Sequence, residues 1–364
     1  MLIEHQIVAL ARDAGFSHAG ICPVPPLDEH FEAYLEAWIE LGHAGEMEYL
    51  KRRDEANRLL RSSLRIAVPW ARSVIVCAAN YNLDAPKSIE PAPAGKAWIA
   101  RYACTGDPTT GMPSDYHDVL LARLKKLEQK LQQTLGPFQA RCYVDTGPVV
   151  ERLYAKFAGI GWIGKNTCIL NQQLGSWLFL GVILSEIELP ATAAIAHDRC
   201  GSCTRCIDAC PTGALTEPYR MDASRCISYL TIEKRGSIPE PLRAQMGRQV
   251  FGCDICQDVC PWNRRAPVSG DTAFSVRTDL VNPALDWLAE LDQESFRRWF
   301  RQSPVQRAKL GGLLRNVAIA MGNSGLPSYL PKLREWSAGS DPVLREAAQW
   351  AASRLLGATA EQPL

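Results

Sequence analysis

Cys200-Gly-Ser-Cys203-Thr-Arg-Cys206-Ile-Asp-Ala-Cys210-Pro211, answered downstream by Cys253-Asp-Ile-Cys256-Gln-Asp-Val-Cys260-Pro261, is the stretch that decides how this chain is organised. The first run has the spacing C-x2-C-x2-C-x3-C-P. Three closely spaced thiolates in this pattern wrap one iron–sulfur cubane, and the fourth, turned away at the proline, ligates a second. The second run has one cysteine fewer, and Cys226 between the runs fills the vacancy. The assignment closes as two [4Fe–4S] clusters, one on Cys200, Cys203, Cys206 and Cys260, the other on Cys210, Cys226, Cys253 and Cys256. Structural zinc also takes four thiolates, but zinc motifs rarely combine x2, x2 spacing with x3-C-P.

The surrounding composition agrees. Of 13 cysteines in 364 residues, eight fall between Cys200 and Cys260. Clustering of this kind, in a chain whose start (MLIEHQIVALARDAG) reads as an amphipathic helix rather than an export signal, favours metal ligation over disulfides. Cys22, Cys77, Cys104, Cys142 and Cys168 share no spacing and read mostly as small buried apolar residues. The longest apolar run, Trp177 to Leu184, is too short to span a bilayer; no membrane partner and a cytoplasmic location are expected. A net charge of +1 excludes a polyanion partner recruited by overall charge.

The fold class expected is α/β (α+β): a sheet domain over residues 1–195, a bacterial ferredoxin-like double-cluster segment over 196–270, and an α-helical region over 271–364. Arg72 to Tyr81 is apolar and β-rich, a buried strand; Gln139 to Val144 and Trp177 to Leu189 read likewise. Asp115 to Leu135 is a helix, with Leu120, Leu124, Leu127, Leu131 and Leu135 at spacings of three and four. Pro86 to Gly95 is a loop. LLRNVAIAMG at Leu313 echoes VLREAAQWAA at Val343, which suggests HEAT-like helical hairpins, with an ordinary helical cap as the alternative. Gly159-Ile-Gly161-Trp-Ile-Gly164 matches G-x-G-x-x-G, yet a helix (Val149 to Ala158) precedes it where a dinucleotide site needs a strand. These glycines read as a tight loop. Asp28-Glu-His30 opens a cobalt-ligating D-x-H-x-x-G pattern that Ala33 breaks.

RYA with DYH (Arg101 to Ala103, Asp115 to His117), VDTGP (Val144 to Pro148), GIGWIGKN (Gly159 to Asn166), the cysteine runs and RCISYLTIEKRG from Arg225 together resemble the epoxyqueuosine reductase family, in order and over nearly the whole chain. The resemblance implies a cobalamin-dependent enzyme, related to reductive dehalogenases and without a histidine-ligand motif. It implies reduction of a tRNA wobble-nucleoside epoxide to the alkene, with loss of water, as the last step of queuosine biosynthesis. It further implies a monomer and a flavodoxin- or ferredoxin-type electron donor. The family's proton donor falls on Asp145, whose carboxyl would serve best with a pKa raised by burial; the alternative is a turn residue bonding local N–H groups. Corrinoid contacts carried over are Arg61, Asp145, Lys165, Asn166, Ile169, Leu180 and Ser228; for Arg61 and Lys165 the alternative is a solvated surface charge. Ala100 stands where some members have a cysteine, Cys104 takes no role, and Thr105 to Ser114 looks like an insertion.

Ser295 to Arg334 has no acidic residue and eight basic ones, leaving −7 for the rest of the chain. Such asymmetry predicts a local polyanion site. Arg297, Arg298, Arg307, Lys309 and Arg315, extended by Lys234 and Arg235, are the expected tRNA contacts. Trp299 and Phe300 read as core aromatics. A simple electron carrier would not need the sheet domain, and a small-molecule dehalogenase would not need the basic stretch; both remain the alternatives to a tRNA-modifying reductase.

Overall fold

The computed structural model describes residues 3–108, 111 and 113–360. Thr109, Thr110 and Met112, within the expected insertion, lie outside the described residues. The first half runs α1 (Ile3–Asp13), β1 (His18–Pro23), α2 (Glu29–Glu40), α3 (Leu64–Ala67), β2 (Ser73–Asn80), β3 (Trp98–Ile99), β4 (Thr105–Gly106), α4 (Tyr116–Leu135), β5 (Ala140–Tyr143), α5 (Glu151–Phe157), β6 (Trp162–Ile163), β7 (Ile169–Leu170) and β8 (Leu178–Ser185). Asp28 caps α2 by accepting the N–H groups of His30 and Phe31, and Asp115 caps α4 through the N–H of His117. Asp28 and His30 are thus a helix start.

The central sheet has the order β1-β2-β8-β5, and every neighbouring pair is antiparallel. The architecture is therefore α+β, and the α/β alternative does not hold. The alternation of helix and strand misleads here because β2 is buried along its whole length and β8 nearly so. A strand covered on both faces reads as a continuous apolar run whichever way its neighbours point. Ile75, Cys77, Phe179 and Ile183 face α1 and α4, whose leucines Leu120, Leu124, Leu127 and Leu131 are fully buried. Val74, Val76, Val182 and Leu184 face α3 and α5. Leu180 is the one residue of β8 that stays half-buried.

The second half runs α6 (Arg205–Asp208), α7 (Ile227–Ile232), α8 (Glu240–Arg243), β9 (Gln249–Phe251), α9 (Ile255–Asp258), β10 (Ser275–Val276), α10 (Leu285–Ala289), α11 (Gln293–Phe300), α12 (Lys309–Ser324), α13 (Leu330–Ser337) and α14 (Pro342–Ala360). Parallel β3–β9 and antiparallel β4–β10 pairs stitch the halves together. One apolar core joins Leu83 and Ile99 to Leu230 and Phe251 and on to Leu313 and Val317. The limits at 195 and 270 thus separate styles of sequence, and packing crosses both. The two echoing segments form α12 and α14, which touch so closely that a Cβ on Gly322 would lie 2.8 Å from the Cα of Ala351.

The tightest approach between layers is at Gly20 on β1, where a Cβ would lie 2.1 Å from the carbonyl oxygen of Ala158 just past α5. Backbone cannot yield as a side chain does. We expect Gly20→Ala to destabilise the fold by about 2–3 kcal/mol in urea unfolding.

Candidate functional site

Cys200, Cys203, Cys206 and Cys260 all line one cavity of about 260 Å³. Burial pushes the Cys206 thiol up to about 11, aided by the fields of Cys260 and Cys200. The other four form a second neighbourhood: Cys253 lies in the fields of Cys226 and Cys210, and Cys256 in those of Cys253 and Cys226. The chain thus brings the eight cysteines together as two quartets, with Cys210 and Cys260 crossing between the runs. The donor set fits two cubanes. Trp162 Nε1 is buried without a regular hydrogen-bond partner, and the sulfur in its reach is that of Cys200, an arrangement suited to an N–H···S bond beside a cluster.

The sheet domain braces these loops. Lys165 Nζ donates to the carbonyl of Gly201 at 2.6 Å, and Asn166 Nδ2 to that of Cys256 at 3.4 Å. Both side chains are therefore occupied by the cysteine loops, on the wall of the first cavity. Arg101 of the RYA motif is buried, and its backbone N–H donates to Asp254 Oδ2 at 2.6 Å. Burial raises Asp254 to about 7. Cys22, Cys77, Cys104 and Cys142 are buried as expected. Cys168 departs from that reading: it follows the GKN loop and meets the thiol of Cys256. Ile169 is buried in the sheet's core, and Ser228 is half-buried just past Cys226.

Asp145 stands where β5 ends. Tyr143 pairs with Val182, and beyond it the chain turns, with Asp145 held at φ +57°. A non-glycine residue in the left-handed region stores strain that surrounding contacts must hold. Those contacts come from the start of α4: the Tyr116 hydroxyl donates to Asp145 Oδ2 at 3.2 Å, and His117 Nε2 lies 3.8 Å from the same oxygen. His117 Nδ1 donates to Asp115 Oδ1 at 2.7 Å. The ring of Tyr116 stacks on His117 and Phe179. The turn-residue alternative expected bonds to local N–H groups; the carboxylate instead faces α4.

The electrostatics reverse one expectation. The imidazolium of His117, 3.8 Å away, holds the largely exposed Asp145 carboxyl below its ordinary range. Burial lowers His117, but the bonds to Asp115 and Asp145 overcome it and lift the imidazole to about 9. A raised pKa belongs instead to Glu151, pushed to about 7 by burial and then by Asp145. Glu151 Oε1 is buried without a partner. The Tyr49 ring stands between two guanidinium groups, Arg61 at 5.6 Å and Arg307 at 5.8 Å. Arg61 also donates to the carbonyl of Val149 at 3.0 Å. Sequence reasoning missed Tyr49 and Glu151, which carry no motif, and quoted Tyr116 and His117 without assigning them a task.

The basic stretch divides. Arg297, Arg298, Arg307 and Lys309 are exposed. Arg307 pairs with Glu233 at 2.9 Å, Lys234 pairs with Glu46, and Arg235 donates to the carbonyls of Arg307 and Ala308. Arg315 is corrected outright: it is 1% exposed. Its guanidinium donates to the carbonyls of Leu230, Lys234 and Gly236 at 2.6–2.8 Å, so it props the loop carrying Lys234 and cannot reach a phosphate. Phe300 is buried and Trp299 packs edge-on to Trp287.

Residues 199–263 match the family model described as 4Fe-4S double cluster binding domain, and residues 61–146 the one described as Epoxyqueuosine reductase QueG, DUF1730. The chain is 41% identical to the epoxyqueuosine reductase of Pseudomonas aeruginosa over 94% of its own length and 92% of that protein's. To that of Xanthomonas campestris pv. campestris it is 39% identical, covering 95% and 94%. Among solved structures it is similar to epoxyqueuosine reductase from Streptococcus thermophilus (TM-score 0.84, 28% identity, 100% of this chain and 92% of that one). It is equally similar to a crystal structure of epoxyqueuosine reductase with a tRNA-TYR epoxyqueuosine-modified tRNA stem loop (TM-score 0.84, 26% identity, 100% and 95%).

Two outcomes follow from the geometry. Removing the Arg315 side chain orphans buried carbonyls, so Arg315→Ala should cost about 3 kcal/mol of stability in urea unfolding. His117 has a folded pKa above its ordinary 6.5. Its contribution to stability is complete below 6.5 and is lost as pH rises through about 9. NMR titration should show the imidazole protonated at pH 8, and Asp145→Asn should bring its pKa down.

Proposed function

The chain belongs to the epoxyqueuosine reductase family, and from that premise we propose that the turn around Asp145 is its catalytic centre and the two cysteine quartets its electron supply. The reaction converts the epoxide of epoxyqueuosine at the tRNA wobble position to the alkene of queuosine. The epoxide oxygen leaves as water, consuming two electrons and two protons. When bound, the two [4Fe–4S] clusters and a cobalamin would supply those electrons. The residues proposed to hold the corrinoid are Arg61, Asp145, Lys165, Asn166, Ile169, Leu180 and Ser228. Two observations fit so large a group with amide arms: Glu151 Oε1, a buried acceptor without a partner beside Asp145, and Leu180, half-buried on an otherwise buried strand.

The observation that carries the reading is the convergence of Tyr116, His117 and Asp145 on one strained turn. Asp145 is ionised at neutral pH, so it cannot hold the departing oxygen's proton in advance. His117 can: below about 9 it keeps a proton on Nε2, 3.8 Å from Asp145 Oδ2. Passing this proton to Asp145 makes the carboxyl a general acid at the moment negative charge develops on the oxygen. The Tyr116 hydroxyl fixes the orientation of the carboxylate.

Arg61, Tyr49 and Arg307 form a bridge from this turn to the basic stretch. Arg297, Arg298, Arg307 and Lys309, with Lys234 and Arg235, are proposed to hold the RNA backbone, on α10 to α14 arranged as HEAT-like hairpins. A cytoplasmic monomer with a separate low-potential electron donor suits this reading.

Incubating oxygen-protected, reconstituted protein with an epoxyqueuosine-containing stem loop, then analysing nucleosides by mass spectrometry, tests the activity. Asp145→Asn should keep iron and corrinoid while losing at least about 10²-fold in turnover; unchanged turnover would remove Asp145 as the acid. His117→Gln should lower turnover and abolish the decline of rate as pH rises through about 9.

A further inference from the structure

We propose that Arg199, Arg205 and Arg264, lining the first cysteine cavity and the groove beside it, with Arg265 next in the chain, form the docking face for a small acidic one-electron carrier. The inference rests on the cysteine quartets serving as the electron supply.

The two quartets differ in depth. Cys226 and Cys253 pack against the main core of the molecule. Cys200 and Cys260 belong to a small satellite cluster with Trp162, Leu170 and Trp262, and the loop between them and the solvent (Gly201, Ser202, Thr204, Arg205) is exposed. Electrons arriving from outside reach the first quartet before the second.

The mouth is basic. Arg199 and Arg205 line the cavity itself, and Arg205 and Arg264 line an adjoining surface groove of about 520 Å³ with Lys87 and the half-exposed Ile89. All four arginines are exposed, and no ion pair among the described residues engages them. Two exposed carboxylates stand nearby and keep their charge, Asp208 accepting the Thr204 hydroxyl and Asp198 that of Tyr219, while Asp258 is buried, bonded to Ser88 and 3.9 Å from Arg101. A protein of net charge +1 thus concentrates an excess of positive charge where electrons would enter, with four arginines and Lys87 against two exposed carboxylates. Positive fields of this kind steer an anionic partner and raise its association rate. RNA fits the face less well, because its basic stretch draws on other residues and leads to Asp145. At each encounter the reduced carrier, a flavin or iron–sulfur protein, loses one electron and an oxidised cluster gains it; two encounters supply the reduction.

The test reads bleaching of the visible cluster absorbance in stopped flow, without tRNA, so it stands apart from the activity assay. The probe is a reduced acidic flavodoxin, compared with dithionite. Arg264→Glu with Arg265→Glu should slow reduction by flavodoxin by ~tenfold at low salt and flatten the salt dependence of its rate. Reduction by dithionite, iron content and stem-loop affinity should be unchanged. Equal flavodoxin rates in variant and wild type would overturn the proposal. So would a loss of stem-loop affinity without a loss of flavodoxin rate, which would assign the face to RNA. Should the charge reversal lose iron, the neutral pair Arg264→Gln and Arg265→Gln decides: a twofold or greater slowing supports the docking face, and no slowing removes it.

Discussion

The crossing of the two cysteine runs is the constraint on which the rest of this structure depends. Cys260 completes the quartet begun at Cys200, and Cys210 joins the quartet begun at Cys226. For both to close, α6 and α9 must lie side by side, which they do. The chain between them is then thrown out as a long excursion. It uses that excursion to build α7 and β9, which pair with β3 and pack beneath α12. A self-contained ferredoxin would need none of this. Here the loops are tied to the sheet domain by hydrogen bonds from Lys165, Asn166 and Arg101, which fix the cysteine loops against it. Electron transfer over a fixed gap requires that rigidity.

The same economy governs protons. The turn after β5 gathers two carboxylates, a histidine and a phenol in little space, and the pKa values of the first three move apart. Asp145 falls, Glu151 rises to about 7, and His117 rises to about 9. Separated values of this kind assign roles. The strongest acid is at the front of the site, and the group that keeps its proton at neutral pH stands behind it. A carboxyl raised by burial would have been simpler, but it would also have shed the hydrogen bonds that hold the strained turn.

How much of this was legible depends on range. The cysteine pairing and the leucine stripe of α4 were readable because their information is local: ligand spacing in one case, helical period in the other. Strand direction was not, because β2 and β8 are covered on both faces, and burial erased the alternation that would have marked an antiparallel sheet. Arg315 was misassigned because a tally of charge cannot see depth. Its neighbour Asn316 is equally buried and donates to the carbonyls of Thr231 and Val250, a polar brace inside an apolar core. His117 sat in a quoted motif, yet its partner Asp145 arrives only when β5 comes to lie beside α4.

The near-neutral charge of the whole chain conceals two basic regions that share no residue. One extends from Arg297 to Lys309 and meets the Asp145 turn through the Arg307–Tyr49–Arg61 stack; the other rings the first cysteine cavity. In the proposed reading each leads to a different end of the same redox path. An enzyme that must hold a large RNA while accepting electrons singly gains from this division. If the donor shared the RNA's surface, the substrate would have to leave between the first electron and the second. Keeping the regions apart lets both electrons arrive while the wobble nucleoside stays in place.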